Sequence, residues 1–191
     1  MILHVTERVL VSELPPPLGQ SPDEWFDVVD ETDRVIGRER RSVVHAKRLM
    51  HRAVHCWIVD PRSRLALQMR SEHKDQFPST YTSSCSGHVD AGETYEQAIR
   101  RELAEEVGLD WTGPLEELAR IAACPETGYE HCRLYLVRTG RELRPDPAEV
   151  AAIEWDTVEG WIARATERPD RFSPGIRTLL VAFGDRLAAA D

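Results

Sequence analysis

Residues 87–109 read GHVDAGETYEQAIRRELAEEVGL, and the fold turns on this stretch. Tyr95, Ile99, Leu103 and Val107 recur every fourth residue, which lays one apolar stripe along a helix. Gly108 supplies a stop, so the spacing predicts a helix over 94–107. At about 100° per residue, Glu102, Glu105 and Glu106 fall within a wedge of roughly 100° beside the stripe, with Glu106 turned almost into it. Carboxylates so close repel one another, and the arrangement is sensible only with a hard cation among them. Mg2+ or Mn2+, which take oxygen ligands and keep several waters, suit such a set. Arg101 follows as an orienter, because a guanidinium can hold a carboxylate through two parallel hydrogen bonds. Gly87 and Gly92 frame the loop leading into the helix, where backbone can pass close to a metal or a phosphate.

The stretch fits G-x5-E-x7-R-E-U-x-E-E-x-G-U, with U a bulky aliphatic, at Gly87, Glu93, Arg101, Glu102, Leu103, Glu105, Glu106, Gly108 and Leu109. The seven fixed letters alone recur by chance in about 10⁻⁹ of random windows, and the two aliphatic positions make the match rarer still. A merely solvated acidic face would not need all of these offsets. The pattern resembles the Nudix box, and the surrounding elements run in that family's order from about Trp25 onward. The resemblance implies an α/β (α+β) fold, an α/β/α sandwich with a mixed sheet. It also implies a divalent-metal-dependent hydrolase that cuts a diphosphate linkage by attack of water on phosphorus. Glu102, Glu105, Glu106 and the Gly87 backbone would form the metal set, and Glu93 would partner Arg101. One of Glu105, Glu106 or Glu130 would help deprotonate the water, with Glu126, Glu149 and Glu154 as rivals of Glu130. LQMRSEHKD resembles the family's Arg-bearing strand and following loop, which makes Arg70 and Lys74 candidates for the substrate phosphate. A nucleoside di- or triphosphate, or a related nucleotide conjugate, is the expected substrate.

A second resemblance lies upstream of the box. KDQFPSTYTSSCSGH is similar to isopentenyl diphosphate isomerase, a member of the same superfamily. LMHRAVHCWIVD matches that enzyme's strand with a metal-binding histidine at His51, His88 matches another, and His45 lies near a third with its spacing off by one. YEHC puts Glu130 at an acidic metal-binding position, and Phe172–Pro174 matches a C-terminal motif. Two departures weigh more. The catalytic cysteine position is Ser86, with Cys85 one residue early and so on the opposite face of a strand. The tryptophan expected directly after the FSP motif is Gly175. An isomerase-like enzyme is therefore the alternative, and hydrolysis the main expectation. His51, His55, His88, His131, Cys124 and Cys132 match no standard zinc spacing, which leaves them as ordinary side chains.

Outward from these motifs, the strands expected are a hairpin around Glu31–Asp33, HCWIVD and LALQMR joined by a turn at 61–64, YTSSC, LEELARIAAC, CRLYLVR and VAAIEW. A short helix is expected over 41–50, and helices over 158–168 and 174–190. Residues 1–22, with Pro15, Pro16 and Pro17, read as an arm and stiff linker before one domain over 23–191. Such an arm can exchange between subunits, which admits a homodimer. The 191 residues carry a net charge of −9, which opposes non-specific attraction to nucleic acid or an anionic membrane. A small anionic substrate then needs a metal or a local Arg/Lys cluster to invert the field. No apolar run approaches the ~18 residues of a membrane span, no basic leader precedes the N-terminal apolar stretch, and the four cysteines lack paired spacing. A small-molecule diphosphate, in the cytoplasm, is the partner these features point to.

Overall fold

A computed structural model describes residues 21, 23–74 and 76–188, so the arm expected over 1–22 lies, apart from Ser21 and the turn it opens, outside the described residues. Trp25–Val29 (β1) and Val35–Arg40 (β2) form the expected antiparallel hairpin, turned through Asp33 at φ 64°. Arg41–Lys47 (α1) ends where Arg48 adopts the left-handed conformation. His51–Val59 (β3) and Leu65–Arg70 (β4) follow as expected. YTSSC is two strands rather than one, Tyr81–Thr82 (β5) and Cys85–His88 (β6), with Ser83 and Ser84 between them. The cause is a shared edge. β3 pairs with β4 near Ile58 and Val59, but with β6 over Ala53–Cys56. Where the two partners diverge, Ser84 Oγ accepts from Ile58 N at 2.8 Å and donates to Ala66 O at 2.6 Å. It satisfies backbone groups that a continuous ladder would have paired.

Tyr95–Val107 (α2) carries a reciprocal cap between Thr94 and Gln97, and Gly108 closes it in the left-handed conformation. Glu116–Ile121 (β7), Glu130–Arg138 (β8) and Val150–Asp156 (β9) complete a seven-stranded sheet. Its order is β5-β4-β3-β8-β7, with β6 beside β3 and β9 beside β4. Among the described strands only β3 and β8 pair in parallel, over the full length of both, so the sheet is mixed. Val158–Glu167 (α3) and Pro174–Phe183 (α4) form the tail; the helix expected to run on to 190 breaks at Gly184 and resumes over Asp185–Ala188 (α5).

The period of two along β3 places alternate residues in two separate cores. Trp57 and Val59 face α3 and α4, packing with Leu65, Leu67, Leu134, Trp161, Ile176 and Leu180. Cys56 and Ile58 face α2, packing with Ile99, Leu103 and Val107. Each fully buried aliphatic of that stripe contributes roughly 1.5–3 kcal/mol. Helices thus cover both faces, the α/β/α sandwich that the box implied. A third cluster of Phe26, Val28 and Val44 seats the hairpin against the loop before α2, where Ala91 N donates to Trp25 O. Among the described residues no helix is long and apolar enough to cross a membrane, and all four cysteines are free.

Candidate active site and metal centres

The box residues converge where β6 meets α2. A Cβ on Gly87 would overlap the Glu102 carboxylate, with even its farther oxygen, Oε2, only 2.7 Å away. Glycine is required there so that the carboxylate can lie against β6. Gly108 is required twice, by φ +64° and by Arg144 O, which would stand 2.6 Å from an added Cβ. Arg101 does what its position implied. Its Nε and Nη2 grip Glu93 at 3.1 and 2.9 Å, Nη1 reaches Glu102 at 2.7 Å and Glu105 at 3.2 Å, and Nη2 also donates to His88 O at 3.0 Å. Loop, strand and helix are thereby tied together by one guanidinium.

The three box glutamates differ in surroundings. Glu102 and Glu106 are buried, whereas the Glu105 side chain is half exposed. Burial, and then the neighbouring Glu106, push the Glu102 carboxyl up to about 8, with Arg101 opposing. Glu106 Oε2 accepts from Gln68 Nε2 at 2.9 Å and from Ser86 N at 3.0 Å, while Oε1 lies 3.4 Å from Lys74 Nζ. Gln68 was missed from sequence; its signal was a lone amide among the apolar residues of LALQMR. Lys74 is buried between Glu106 and Glu149. Arg70 donates from Nε to Gln76 O at 2.9 Å, at the end of the strand that carries Gln68. Of the rivals of Glu130, Glu154 pairs with Arg164 and Tyr81 and Glu126 is exposed; Glu149 reaches the cluster through Lys74.

Glu130 sits in a second cluster. The ligand nitrogens of His45, His51 and His88 all lie within 4.8 Å of one another. Glu130 Oε1 is 3.2 Å from His88 Nε2 and 3.6 Å from His51 Nε2. Burial opposes ionisation of Glu130, but the His51 and His88 imidazoles beside it outweigh burial and hold the carboxyl well below its usual range. His51 Nδ1 donates to Leu49 O at 2.9 Å, which leaves the lone pair on Nε2. That Nε2, and Nε2 of His45, are buried without hydrogen-bond partners. Burial, then His88 and His51, depress His45 to about 4, which keeps its ring neutral. Phe26 stacks on His51 and His88 and holds both rings. Three imidazoles, two of them with orphaned nitrogens, and one carboxylate form a donor set that fits a divalent transition-metal ion. His45 rides on α1, where a side chain's direction follows the helix and not a strand register. His55 and His131 remain ordinary, placed against Ser83 Oγ and Asp30 O. His51 and His88 stand together with His45 and Glu130, as the isomerase resemblance implied.

An acidic helix packed on a glycine-bearing strand, inside an α/β/α sandwich, defines a class of hydrolase fold. The chain belongs to the Nudix family and is a Nudix hydrolase: the family's NUDIX domain profile matches residues 49–175. It is 37% identical over 135 residues to an uncharacterised Nudix hydrolase of Streptomyces coelicolor, covering 70% of this chain and 75% of the relative. It is 33% identical over 153 residues to the prenyl-diphosphate phosphatase of Methanosarcina mazei, covering 78% and 88% of the two chains. Among solved structures, DR0079 from Deinococcus radiodurans superposes with a TM-score of 0.74 at 26% identity, covering 84% of this chain and 99% of that one.

Proposed function

We propose that this Nudix hydrolase is divalent-metal-dependent and cuts the phosphoanhydride bond of a prenyl diphosphate. The observation that carries the chemistry is the Glu102–Glu106 pair seated on Gly87, with the Glu102 carboxyl resisting ionisation until a cation joins it. Bound among Glu102, Glu105, Glu106 and the Gly87 backbone, Mg2+ or Mn2+ would acidify a water and neutralise charge on the diphosphate. Arg101 and Glu93 fix the carboxylates. Glu106 is buried and held by Gln68, Ser86 and Lys74, and Glu102 is buried and held by Arg101; Glu105 also meets Arg101, at 3.2 Å, but its side chain is half exposed, so it is the carboxylate that can take the water's proton. The water oxygen bonds to the terminal phosphorus and the bridging P–O bond breaks with its electron pair, giving a prenyl monophosphate and inorganic phosphate. Lys74 and Arg70 stand on the phosphate side.

Two observations support the prenyl class over the nucleotides expected from sequence. One is the Methanosarcina relative, a prenyl-diphosphate phosphatase by name. The other is the histidine–Glu130 cluster, which matches the metal set of the isomerase resemblance. Isomerisation itself is disfavoured. Ser86 lacks the thiol, and an added Cβ at Gly175 meets nothing within 4 Å, so no aromatic face stands there. The test is a panel of prenyl diphosphates, nucleoside di- and triphosphates and nucleotide conjugates, with Mg2+, Mn2+ or chelator and products weighed by mass spectrometry. Prenyl monophosphate and phosphate formed only with metal is the expected result. Full turnover in excess chelator sinks the metal assignment, and turnover confined to nucleotides returns the substrate to that class.

A further inference from the structure

Lys74 is the residue whose surroundings the reaction above leaves unexplained. It is a buried ammonium, and burial lowers its pKa against the pull of Glu106. Of the two Glu106 oxygens, Oε2 already accepts from Gln68 and Ser86, so Oε1, which faces Lys74, is the one left for a cation. On its other side the ammonium is ion-paired with Glu149 Oε2. Glu149 is itself buried, and its Oε1 has no hydrogen-bond partner. The backbone fixes this meeting: Ser71 N donates to Glu149 O, Lys74 N to Ser71 O, and Asp146 N to Glu106 O. A buried ion pair made only for stability needs one carboxylate and is weakly favourable at best. Here one ammonium stands among Glu102, Glu106 and Glu149, more carboxyl groups than a single ion pair needs.

We infer that Lys74 is a built-in competitor of the divalent cation for Glu106 Oε1, and that Glu149 is the positioning residue that anchors it. The inference rests on the proposed metal-dependent reaction. Two cations at one oxygen repel each other, so the arriving ion displaces the ammonium from Glu106. Glu149 keeps its hold, and Lys74 swings on that anchor toward the diphosphate.

The experiment is calorimetric titration of Mg2+, which prefers the carboxylate cluster over imidazoles. Wild type, Lys74→Met, Lys74→Arg, Glu149→Gln and the Lys74→Met/Glu149→Gln double variant are compared. A neighbouring like charge shifts an ionic equilibrium by about one to three orders of magnitude, so Lys74→Met should bind Mg2+ at least about tenfold more tightly. Its KM for the diphosphate substrate should nevertheless rise, and Lys74→Arg, which keeps the positive charge, should show no such gain in Mg2+ affinity. Glu149→Gln should weaken Mg2+ in the wild-type background and change it little once Lys74 is gone; an equal loss in both backgrounds makes Glu149 a ligand and overturns its anchoring role. If the variants do not fold, ¹⁵N NMR of the wild-type lysine ammonium groups suffices. The slowly exchanging Lys74 signal should change on Mg2+ saturation, and an unchanged signal overturns the competition. Mg2+ affinity unaltered or reduced in Lys74→Met overturns this inference alone, while a wild type that binds no Mg2+ overturns the proposed function with it.

Discussion

Replacing Gly87 with alanine would drive a methyl group into the Glu102 carboxylate. The added carbon would lie 2.7 Å from Oε2 and closer still to Oε1 and Cδ, against an ordinary carbon–oxygen contact of about 3.3 Å. The carboxylate must therefore retreat, and its nearest atom by more than about 1 Å. The atoms that give are the far end of a flexible side chain, so the fold should lose only about 1 kcal/mol, the low end of overpacking costs. Function should suffer more. Retreat carries Glu102 away from Arg101 Nη1, now 2.7 Å distant, and away from the shared cation position. Misplacement of a catalytic group by about 1 Å is worth up to about 10²-fold in rate. Thermal unfolding and steady-state kinetics on the same preparation separate the two effects. We expect kcat to fall by about 10²-fold while Tm moves by a few degrees. An alanine enzyme within threefold of wild type would refute the claim that this glycine exists to seat Glu102.

Glu106→Gln should lower kcat by at least about 10²-fold with the fold intact, since the change is nearly isosteric; an equally active variant would show the metal face to be misassigned. Glu102, raised from 4.5 to about 8 by burial and Glu106, must ionise to hold a cation, so Mg2+ affinity should climb by about tenfold per pH unit up to that point and then level off. The same shift makes the chelator-treated protein lose stability as pH rises from about 4.5 through about 8, so Mg2+ should raise Tm more at pH 8.5 than at pH 6; equal increments would remove Glu102 from the metal set. Neither wild type nor Ser86→Cys should interconvert isopentenyl and dimethylallyl diphosphates, because Gly175 offers no aromatic face to a carbocation; labelled dimethylallyl product from the wild type would favour the isomerase alternative.

The box stated its own structure because its constraints are local. Helix period, cap, stop and the reach of Arg101 to Glu93 all lie within 87–109, where spacing in the chain is distance in space. The mixed sheet was likewise legible, through the family resemblance that the box carries. Long-range juxtaposition was another matter. That β3 passes its edge from β4 to β6, splitting YTSSC into two strands, depends on Ser84 bridging Ile58 and Ala66. Only packing could show that Glu102 and Glu106 are buried while Glu105 is not. His45, His51, His88 and Glu130 come from a helix and three strands, so no spacing rule joins them. Gln68 and Lys74 reach Glu106 across 38 and 32 residues, and Glu149 joins them through Lys74. Sequence named the groups that ionise, but their charge states depend on how much water each loses and which charges each meets, and those are properties of the folded chain.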